Sequence, residues 1–416
     1  MASALLPSLD EWLLRQIHDA IGQTPVRLVL KDSGAFWPRG GKSEVILTIA
    51  DRRTLAELFL QPEICFGDAY SDGRIEVQGD MVRLFELILS ARGKTHLDGW
   101  LTRLSSWWLN RWQANSPVGS RRNIHCHYDL STDFYKLWLD SRMVYTCAYF
   151  PSPSMTLEDA QAAKMDHVCR KLQLQPGETV VEAGCGWGSL ALWMGRHYGV
   201  KVRAFNISHE QILYARERAR KEGLAERVEF IEDDYRSISG GYDAFMSVGM
   251  LEHVGPEHYQ ELGAVIHRAI GDSGRGLLHF IGKNRPRPFS AWIRKRIFPG
   301  AYAPALRQVM DVFEPWDYSV LDVENIRLHY ARTLEHWLSR FERAADKIAS
   351  MYGPDFVRAW RVYLAGSIAS FRVGTLQLFQ AVFAGAECRS IPWTRAHLYT
   401  EHLHEQKQSA WIRSAS

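Results

Sequence analysis

Short apolar segments alternate with longer helical segments between residues 157 and 282, and this alternation restricts the fold more than any other feature of the chain. The apolar segments read VVEAG, VRAFNIS, VEFIEDD, YDAFMSVG and GLLHFIG. Patterns typical of helices precede or separate several of them, as in LEDAQAAKMDHVCRKLQL, SLALWMGRHY and QILYARERARKEG. Apolar strands connected by helices of roughly ten or more residues are typical of a doubly wound, mostly parallel sheet. We therefore predict an α/β fold that binds its ligand at the carboxyl ends of the strands.

The sequence on either side of this region predicts further parts of the chain. Residues 1–93 combine an amphipathic opening helix, the strands VRLVL and EVILTI, the helices TLAELFL and MVRLFELILSA, and a turn-rich stretch, FGDAYSDGRIEV. This mixture indicates a small α+β domain. Residues 123–416 form the larger α/β domain with helical additions. Within it, basic and aromatic residues at 283–313 interrupt the alternation, and long helices are predicted from 323 to 402.

Residues 94–122 differ from both domains and are predicted to form an amphipathic connector. Their distinguishing side chains are Trp100, Arg103, Trp107, Trp108, Arg111, Trp112, Arg121 and Arg122.

Composition excludes several classes of protein. The chain has 416 residues with 46% apolar and 23% charged side chains, as expected for a globular protein large enough for two domains. A net charge of +3 gives no indication of a nucleic-acid partner. The 6 cysteines are scattered without the paired spacing of a zinc site, which favours free thiols, a reducing cytosol and no metal. No basic leader or membrane-spanning stretch is recognised, so we expect a cytoplasmic protein that is at most peripheral to a membrane.

The most informative motif is VVEAGCGWG, which follows the pattern E-x-G-x-G-x-G. Glu182 would end a buried strand, and Gly184, Gly186 and Gly188 would allow a tight turn that lies close to a ligand. The order of the residues differs from the dinucleotide pattern G-x-G-x-x-G, and the lysine of a phosphate-binding loop is absent. The motif resembles the first motif of class I methyltransferases, which bind S-adenosylmethionine. A glycine turn that only packs is the alternative.

Polar residues also follow the next two strands. Asn206, Ser208 and Gln211 come at the end of the second strand, where they could bind the ribose or the methionine part of the cofactor. After the third strand, an acid in the DDYR segment could accept a hydrogen bond from the adenine amino group while Tyr235 covers the ring. We assign Asp234, Tyr235 and Arg236 to the cofactor site.

A carboxylate and an imidazole lie near the ends of the last two predicted strands. Glu252 follows the strand that ends in SVG, and His279 lies within LLHFIG. Because neighbouring parallel strands end at one edge of the sheet, both side chains are expected to face the reactive methyl group. Such a pair among apolar residues suits proton transfer, with pKa values adjusted by burial. A histidine that is merely satisfied within the core is the alternative for His279.

Taken together, the segments resemble the cyclopropane fatty acid synthase family. The matching segments include NIHCHYDLSTDFYKLWLD, VYTCAYF, VVEAGCGWGSLA, DDYR, SVGMLEHVG, LLHFIG, IFPGAYAPALRQV and FRVGTLQLFQAVF. The resemblance implies that a cis double bond of a phospholipid acyl chain attacks the methyl group of S-adenosylmethionine. The resulting carbocation then loses a proton and closes a ring. The family resemblance also leaves open a methyl-branching enzyme or an amine N-methyltransferase.

The resemblance further implies a bound bicarbonate ion as the base. Its expected ligands are the backbone amides of Cys147 and Ile281, the side chains of Glu252 and His279, and the hydroxyl of Tyr330. Tyr145, Thr146 and Cys185 are implied as additional cofactor contacts. The family resemblance also makes a homodimer possible.

One position departs from the family pattern. Ser367 follows YLAG, where some members have a cysteine after YLNA, which leaves the acceptor or the product open. A catalytically silent lipid-binding module is the alternative outside the enzymes, but such a module has no reason to retain Glu252, His279 and Tyr330 together.

The segment 283–298 is the predicted contact with a membrane. It combines six cationic and five large apolar side chains, which could bind anionic headgroups and insert at the interface. The tryptophan-rich connector could contribute in the same way. A lid or a dimer contact with a solvated charged face is the alternative.

Overall fold

The structure is a computed structural model that describes residues 8–92 and 130–399. The connector predicted at 94–122 lies outside the described residues, as does the beginning of the segment NIHCHYDLSTDFYKLWLD.

Residues 8–92 form a small α+β unit around a sheet of four strands in the order β2-β1-β3-β4. Strands β1 and β3 are parallel, and the other two pairs are antiparallel. Its elements are α1 (Leu9–Ala20), β1 (Val26–Leu30), β2 (Phe36–Trp37), β3 (Val45–Ile49), α2 (Arg52–Leu60), α3 (Pro62–Ser71), β4 (Ile75–Gln78) and α4 (Met81–Arg92). The predicted opening helix, both strands and both later helices are confirmed.

The turn-rich interpretation of FGDAYSDGRIEV is wrong, because helix α3 includes its first half and strand β4 its end. Pro62 begins the helix at a position where its missing N–H costs nothing. Gly67 suggested a turn, but it lies inside the helix for a packing reason. A Cβ atom at this position would come within 2.3 Å of Trp292 Nε1.

The larger part contains a sheet of seven strands in the order β10-β11-β9-β8-β5-β6-β7. Strands β5 to β9 are parallel, as predicted, and helices cover the sheet. From 130 to 282 its elements are α5 (Thr132–Tyr135), α6 (Leu157–Lys171), β5 (Thr179–Ala183), α7 (Ser189–Trp193), β6 (Lys201–Asn206), α8 (His209–Lys221), β7 (Val228–Glu232), β8 (Ala244–Val248), α9 (Leu251–Val254), α10 (Tyr259–Ile270) and β9 (Arg275–Gly282).

The predicted run of long helices from 323 to 402 is wrong in part, since two antiparallel strands, β10 and β11, complete the sheet. Strand β11 is buried at every position, and a segment without alternation between buried and exposed positions does not distinguish a strand from a buried helix. The remaining elements are α11 (Leu306–Phe313), β10 (Ser319–Asn325), α12 (Arg327–Arg343), α13 (Ala345–Tyr352), α14 (Pro354–Val373), β11 (Gln377–Ala384) and α15 (Ala396–Tyr399).

The segment 283–298 packs against helix α3 of the N-terminal unit. Trp292 is 4% exposed, and its indole Nε1 donates to Asp68 Oδ1 at 3.0 Å. Arg296 forms an ion pair with the same carboxylate at 2.7 Å. The expectation that Trp292 inserts into a membrane is therefore wrong for this structure, because the indole is buried between two parts of one chain. Among the helices of residues 8–92 and 130–399, none is long and apolar enough to cross a membrane.

Substitution of Gly188 tests how tightly the turn after β5 is packed. Gly188 has a φ of 80°, and a Cβ there would lie 2.5 Å from Phe230 Cζ. We expect Gly188→Ala to lower the free energy of unfolding by about 2–4 kcal/mol, through the left-handed backbone and overpacking together.

Gly177→Ala is the matched control, because Gly177 has a φ of 89° but no heavy atom within 4 Å of the added Cβ. This variant should lower the free energy of unfolding by roughly 1–2 kcal/mol, because only the left-handed backbone disfavours alanine there. Equal losses for the two variants in urea denaturation would contradict the packing argument.

Candidate active site

The glycine turn after β5 provides the wall of a ligand site. Gly184, Gly186 and Gly188 all have positive φ angles, 82°, 52° and 80°, which favour glycine. At Gly184 an added Cβ would lie 3.0 Å from Met250 Cβ, whereas at Gly186 nothing lies within 4 Å. The middle of the turn thus borders open space, as the approach of a ligand to the backbone requires.

Glu182 and Cys185 flank the beginning of this turn and are both buried. Burial raises the pKa of the Glu182 carboxyl to about 7, although the Lys164 ammonium opposes the shift. Its Oε2 atom has no hydrogen-bond partner among the described residues. A buried oxygen without a partner fits a site that receives a polar ligand group. Burial also raises the pKa of the Cys185 thiol, so this side chain contributes packing rather than a thiolate.

The residues predicted at the end of β6 lie against the turn. Asn206 Nδ2 donates to Gln211 Oε1 at 2.7 Å and to the Gly186 carbonyl at 3.3 Å. The amide of Ser208 donates to Asn206 Oδ1 at 3.4 Å. The structure therefore brings the first two groups of predicted cofactor residues together.

The residues after β7 form a second polar group. Asp234 accepts hydrogen bonds from the Arg236 amide at 3.0 Å and from its guanidinium at 3.1 Å. Arg236 also binds Glu261 at 3.0 Å and lies 4.7 Å from the centre of the Tyr235 ring. Because Arg236 is held by two carboxylates, it suits the positioning of Asp234 and Tyr235 better than direct contact with a ligand. Arg236 thus covers one face of the Tyr235 ring.

The segment containing Tyr145, Thr146 and Cys147 lies beside the same strand ends. Thr146 Oγ1 accepts from Lys164 Nζ at 3.1 Å, and the Tyr145 hydroxyl is hydrogen-bonded to that of Tyr363 at 3.0 Å. The Cys147 thiol is completely buried and donates to the Ala148 carbonyl at 3.0 Å. Burial raises the pKa of this thiol, which agrees with a structural sulfur.

Helix α6 contributes side chains that the sequence pattern did not identify. Its buried polar residues are Gln161, Lys164, His167 and Lys171. Gln161 Nε2 donates to the Thr146 carbonyl at 2.8 Å. Lys164 is 2% exposed, and burial lowers its pKa to about 8. The sequence did contain a signal for these side chains, because they recur at helical spacing on one face of α6. Polar residues at that spacing, however, usually indicate a face exposed to solvent.

Glu252, which follows β8, is hydrogen-bonded to Ile281 near the end of β9, and His279 lies two residues earlier on that strand. Glu252 Oε1 accepts from the Ile281 amide at 2.6 Å, whereas Oε2 has no hydrogen-bond partner in the described part of the chain. The Ile281 amide was expected to bind an anion, but here it binds the Glu252 carboxyl, which lies where that anion was expected. Burial raises the pKa of Glu252 to about 7.

His279 is 2% exposed, and burial lowers its pKa well below the usual value, so the imidazole is neutral. Its Nδ1 lies 3.1 Å from Gln380 Nε2 on β11, another residue that the sequence pattern did not identify.

Tyr330 lies in the first turn of α12 and packs in an aromatic cluster. Its ring centre is 4.7 Å from that of Phe371 and 6.0 Å from that of Trp337. The helix begins beside the sheet, because the Ile326 amide donates to the Leu378 carbonyl at 2.9 Å. Leu378 is paired with Ile281 across β11 and β9, which places the start of α12 near the Glu252 site. Ser367 is half-buried on α14, one turn after Tyr363.

A mostly parallel seven-stranded sheet, a glycine turn after strand β5 and acidic residues at neighbouring strand ends define a class I S-adenosylmethionine-dependent methyltransferase. The family model described as mycolic acid cyclopropane synthetase matches residues 116–381. The chain belongs to this family.

Two relatives agree with this assignment. A probable fatty acid methyltransferase of Pseudomonas putida is 34% identical over 389 residues, which cover 90% of this chain and 96% of the relative. The cyclopropane-fatty-acyl-phospholipid synthase of Escherichia coli K12 is 41% identical over 259 residues, 62% of this chain and 66% of that enzyme.

Solved structures show the same fold. A cyclopropane synthase from Mycobacterium tuberculosis has a TM-score of 0.60 and 28% identity over 64% of this chain and 98% of its own. A mycolic acid cyclopropane synthase complexed with SAH and CTAB has a TM-score of 0.60 and 29% identity over 63% of this chain and 97% of its own.

The pKa of Glu182 predicts how cofactor binding depends on pH. If the carboxylate accepts a hydrogen bond from the cofactor, binding requires the ionised form, whose fraction increases as the pH rises through about 7. We expect the affinity for S-adenosylmethionine to increase about tenfold between pH 6 and pH 8. Titration calorimetry measures this change directly.

Glu182→Gln is the control, because the amide does not titrate. Its affinity should be weaker at pH 8 and independent of pH over the same range. An equal pH dependence in both proteins would remove Glu182 from the cofactor site.

Proposed function

We propose that this protein transfers a methylene group from S-adenosylmethionine to the cis double bond of a phospholipid acyl chain and closes a cyclopropane ring. The observation that carries the proposal is the buried Glu252 carboxyl, whose Oε2 has no hydrogen-bond partner among residues 8–92 and 130–399 and which lies next to the strand of a neutral His279. Cofactor binding alone would not require this pair.

The described residues fit the cofactor through the buried Glu182 oxygen and the open space at Gly186. When bound, S-adenosylmethionine supplies an electrophilic methyl group on a sulfonium sulfur, which the alkene attacks as the carbon–sulfur bond breaks. The acyl chain then bears a carbocation. Aromatic rings such as that of Tyr330 stabilise such a cation and exclude water, which would otherwise trap it as an alcohol.

Ring closure requires a base that removes a proton from the newly transferred methyl group, and we propose that this base is a bicarbonate ion. Two features of the site support an anion. The Glu252 carboxyl, with a pKa of about 7, is partly protonated at neutral pH and can donate through Oε2. His279 is neutral and has one N–H group that can donate to the ion. Binding the ion through the Ile281 amide would require Glu252 to release that amide.

A second candidate function is transfer of a methyl group to the acyl chain without ring closure. The Pseudomonas putida relative named a probable fatty acid methyltransferase aligns over 90% of this chain, which favours this alternative. In that reaction the cation loses its proton from another carbon, so a double bond remains in the product.

The deciding experiment incubates the full chain with S-adenosylmethionine and vesicles of cis-unsaturated phospholipid. Mass spectrometry of the fatty esters should show a gain of one methylene group with loss of alkene reactivity. A methylated chain that still contains an alkene would support the second candidate, and unchanged lipid would exclude both. Turnover that does not fall when bicarbonate is removed from the buffer would identify Glu252 itself as the base.

Glu252→Gln tests the role of the carboxyl group. The amide keeps the shape and the donor of the side chain but cannot exchange a proton near neutral pH. We expect turnover to fall about 100-fold or more, while the dissociation constant of S-adenosylmethionine stays the same. Glu257→Gln, which changes an exposed carboxylate five residues later, should leave turnover unchanged. Unchanged turnover in Glu252→Gln would refute the assignment.

We also propose that the protein reaches its substrate through the exposed cations of segment 283–298. Arg285, Arg287 and Lys295 are exposed, whereas Trp292 is buried, so attraction to anionic headgroups rather than tryptophan insertion would provide the contact. Arg296 is exposed but already paired with Asp68.

The double variant Arg285→Gln/Arg287→Gln should bind anionic phospholipid vesicles about 30-fold more weakly at low salt, since each cation near the surface contributes about 1 kcal/mol. Binding to neutral vesicles should not change. Arg220→Gln/Lys221→Gln makes the same change of charge on α8, at the other end of the sheet, and should have no effect. Equal losses of affinity for anionic vesicles in the two double variants would show that binding depends only on the net charge of the protein.

A further inference from the structure

Three polar side chains occupy neighbouring positions across the antiparallel edge of the large sheet. Glu324 on β10 is paired with Gln380 on β11, and Gln380 is paired with His279 on β9. Residues directly opposite one another in an antiparallel pair have their side chains on the same face of the sheet. This register explains why the Gln380 amide reaches the His279 ring.

The contact between Gln380 and His279 has a defined direction. Gln380 is 0% exposed, and its Nε2 lies 3.1 Å from His279 Nδ1. An amide nitrogen can only donate, so Nδ1 must accept through its lone pair. A neutral imidazole with an unprotonated Nδ1 carries its proton on Nε2, on the side of the ring away from Gln380.

The third member of the row does not compete for the glutamine amide. The Glu324 carboxylate is bound by Lys171 at 2.7 Å and by His167 at 2.8 Å, both on α6. With two partners from the helix, Glu324 does not need the N–H group of Gln380. The amide is therefore available to the imidazole.

We propose that Gln380 is a positioning residue that holds the proton of His279 on Nε2, so that the imidazole acts as a hydrogen-bond donor and not as a base. The role rests on the proposed function, because a donor at this position is useful when the reaction site holds an anion. With Glu252 partly protonated, the site then offers two donors. The proton of the lipid cation goes to the bound anion and not to the histidine.

The test is the protonation state of His279, read from two-bond ¹H–¹⁵N spectra of full-length protein labelled with ¹⁵N-histidine and assigned with a His279→Gln variant. The wild-type ring should be protonated on Nε2 alone. Gln380→Leu should give a mixture of both neutral forms, and Gln380→Glu should move the proton to Nδ1, because a carboxylate only accepts.

Kinetics provide the second measurement. Gln380→Leu should lower kcat about tenfold in the vesicle assay, with an unchanged dissociation constant for S-adenosylmethionine. In Gln380→Glu the new carboxylate should raise the pKa of His279 and add a limb to the pH–rate profile. The other charges that act on this ring are Lys164 and Lys171, which oppose protonation, and Glu324, which favours it.

Gln377→Leu is the matched control. Gln377 is a buried glutamine on the opposite face of β11, where it binds Asn325 and the Gly374 carbonyl. This variant should leave the His279 signals and the pH profile unchanged, even if it lowers stability.

A wild-type His279 protonated on Nδ1 would overturn the proposal, as would a Gln380→Leu variant with the wild-type proton position. These results do not depend on the lipid reaction. If vesicle lipids remain unmodified while the predicted proton positions are found, the proposed function fails and the positioning role stands.

Discussion

Helix α6 directs a row of polar side chains into the protein, and the location of the site depends on this arrangement. Its first half holds the loop before the helix, since Gln161 and Lys164 bind Thr146. Its second half holds the sheet edge, because Lys171 binds Glu324 on β10. Buried polar groups are costly unless they are paired, so each of these contacts restricts where the loop and the strand can lie. The helix thereby connects the loop that contains Thr146 to the edge strand β10.

The same burial determines the charge of the proposed reaction site. Desolvation favours the neutral form of every group, raising the pKa of a carboxyl and lowering that of an imidazole. Glu252 and His279 are therefore both close to neutral at physiological pH. Neutral groups do not attract water strongly, and they do not form an ion pair with each other. Such a site would suit the proposed reaction, in which a cation forms on a hydrocarbon chain.

The parts of the fold that were predictable from the sequence are those with a local signal. Strands β5 to β9 are separated by helices and turns, and the glycines after β5 indicate their own backbone conformation. Strand β11 gave no such signal, because all its positions are buried and its pattern does not alternate. Helix α3 was missed because Gly67 indicated a turn, although it serves a contact with Trp292, distant in the sequence. The polar partners Lys164 and Gln380 depend on register and packing across the fold, which a single strand or helix pattern does not contain.

The contact between Gly67 and Trp292 has a consequence for how sequences of this family can vary. Nothing larger than a hydrogen atom fits between the helix and the indole, so a side chain at position 67 would displace the ring. The displaced segment continues to Phe298, whose ring lies 5.5 Å from that of Tyr363 and 6.2 Å from that of His253, beside Glu252. A family member with a larger residue in place of Gly67 must therefore have a smaller side chain in place of Trp292. The two positions are expected to change together during evolution, although 225 residues separate them along the chain.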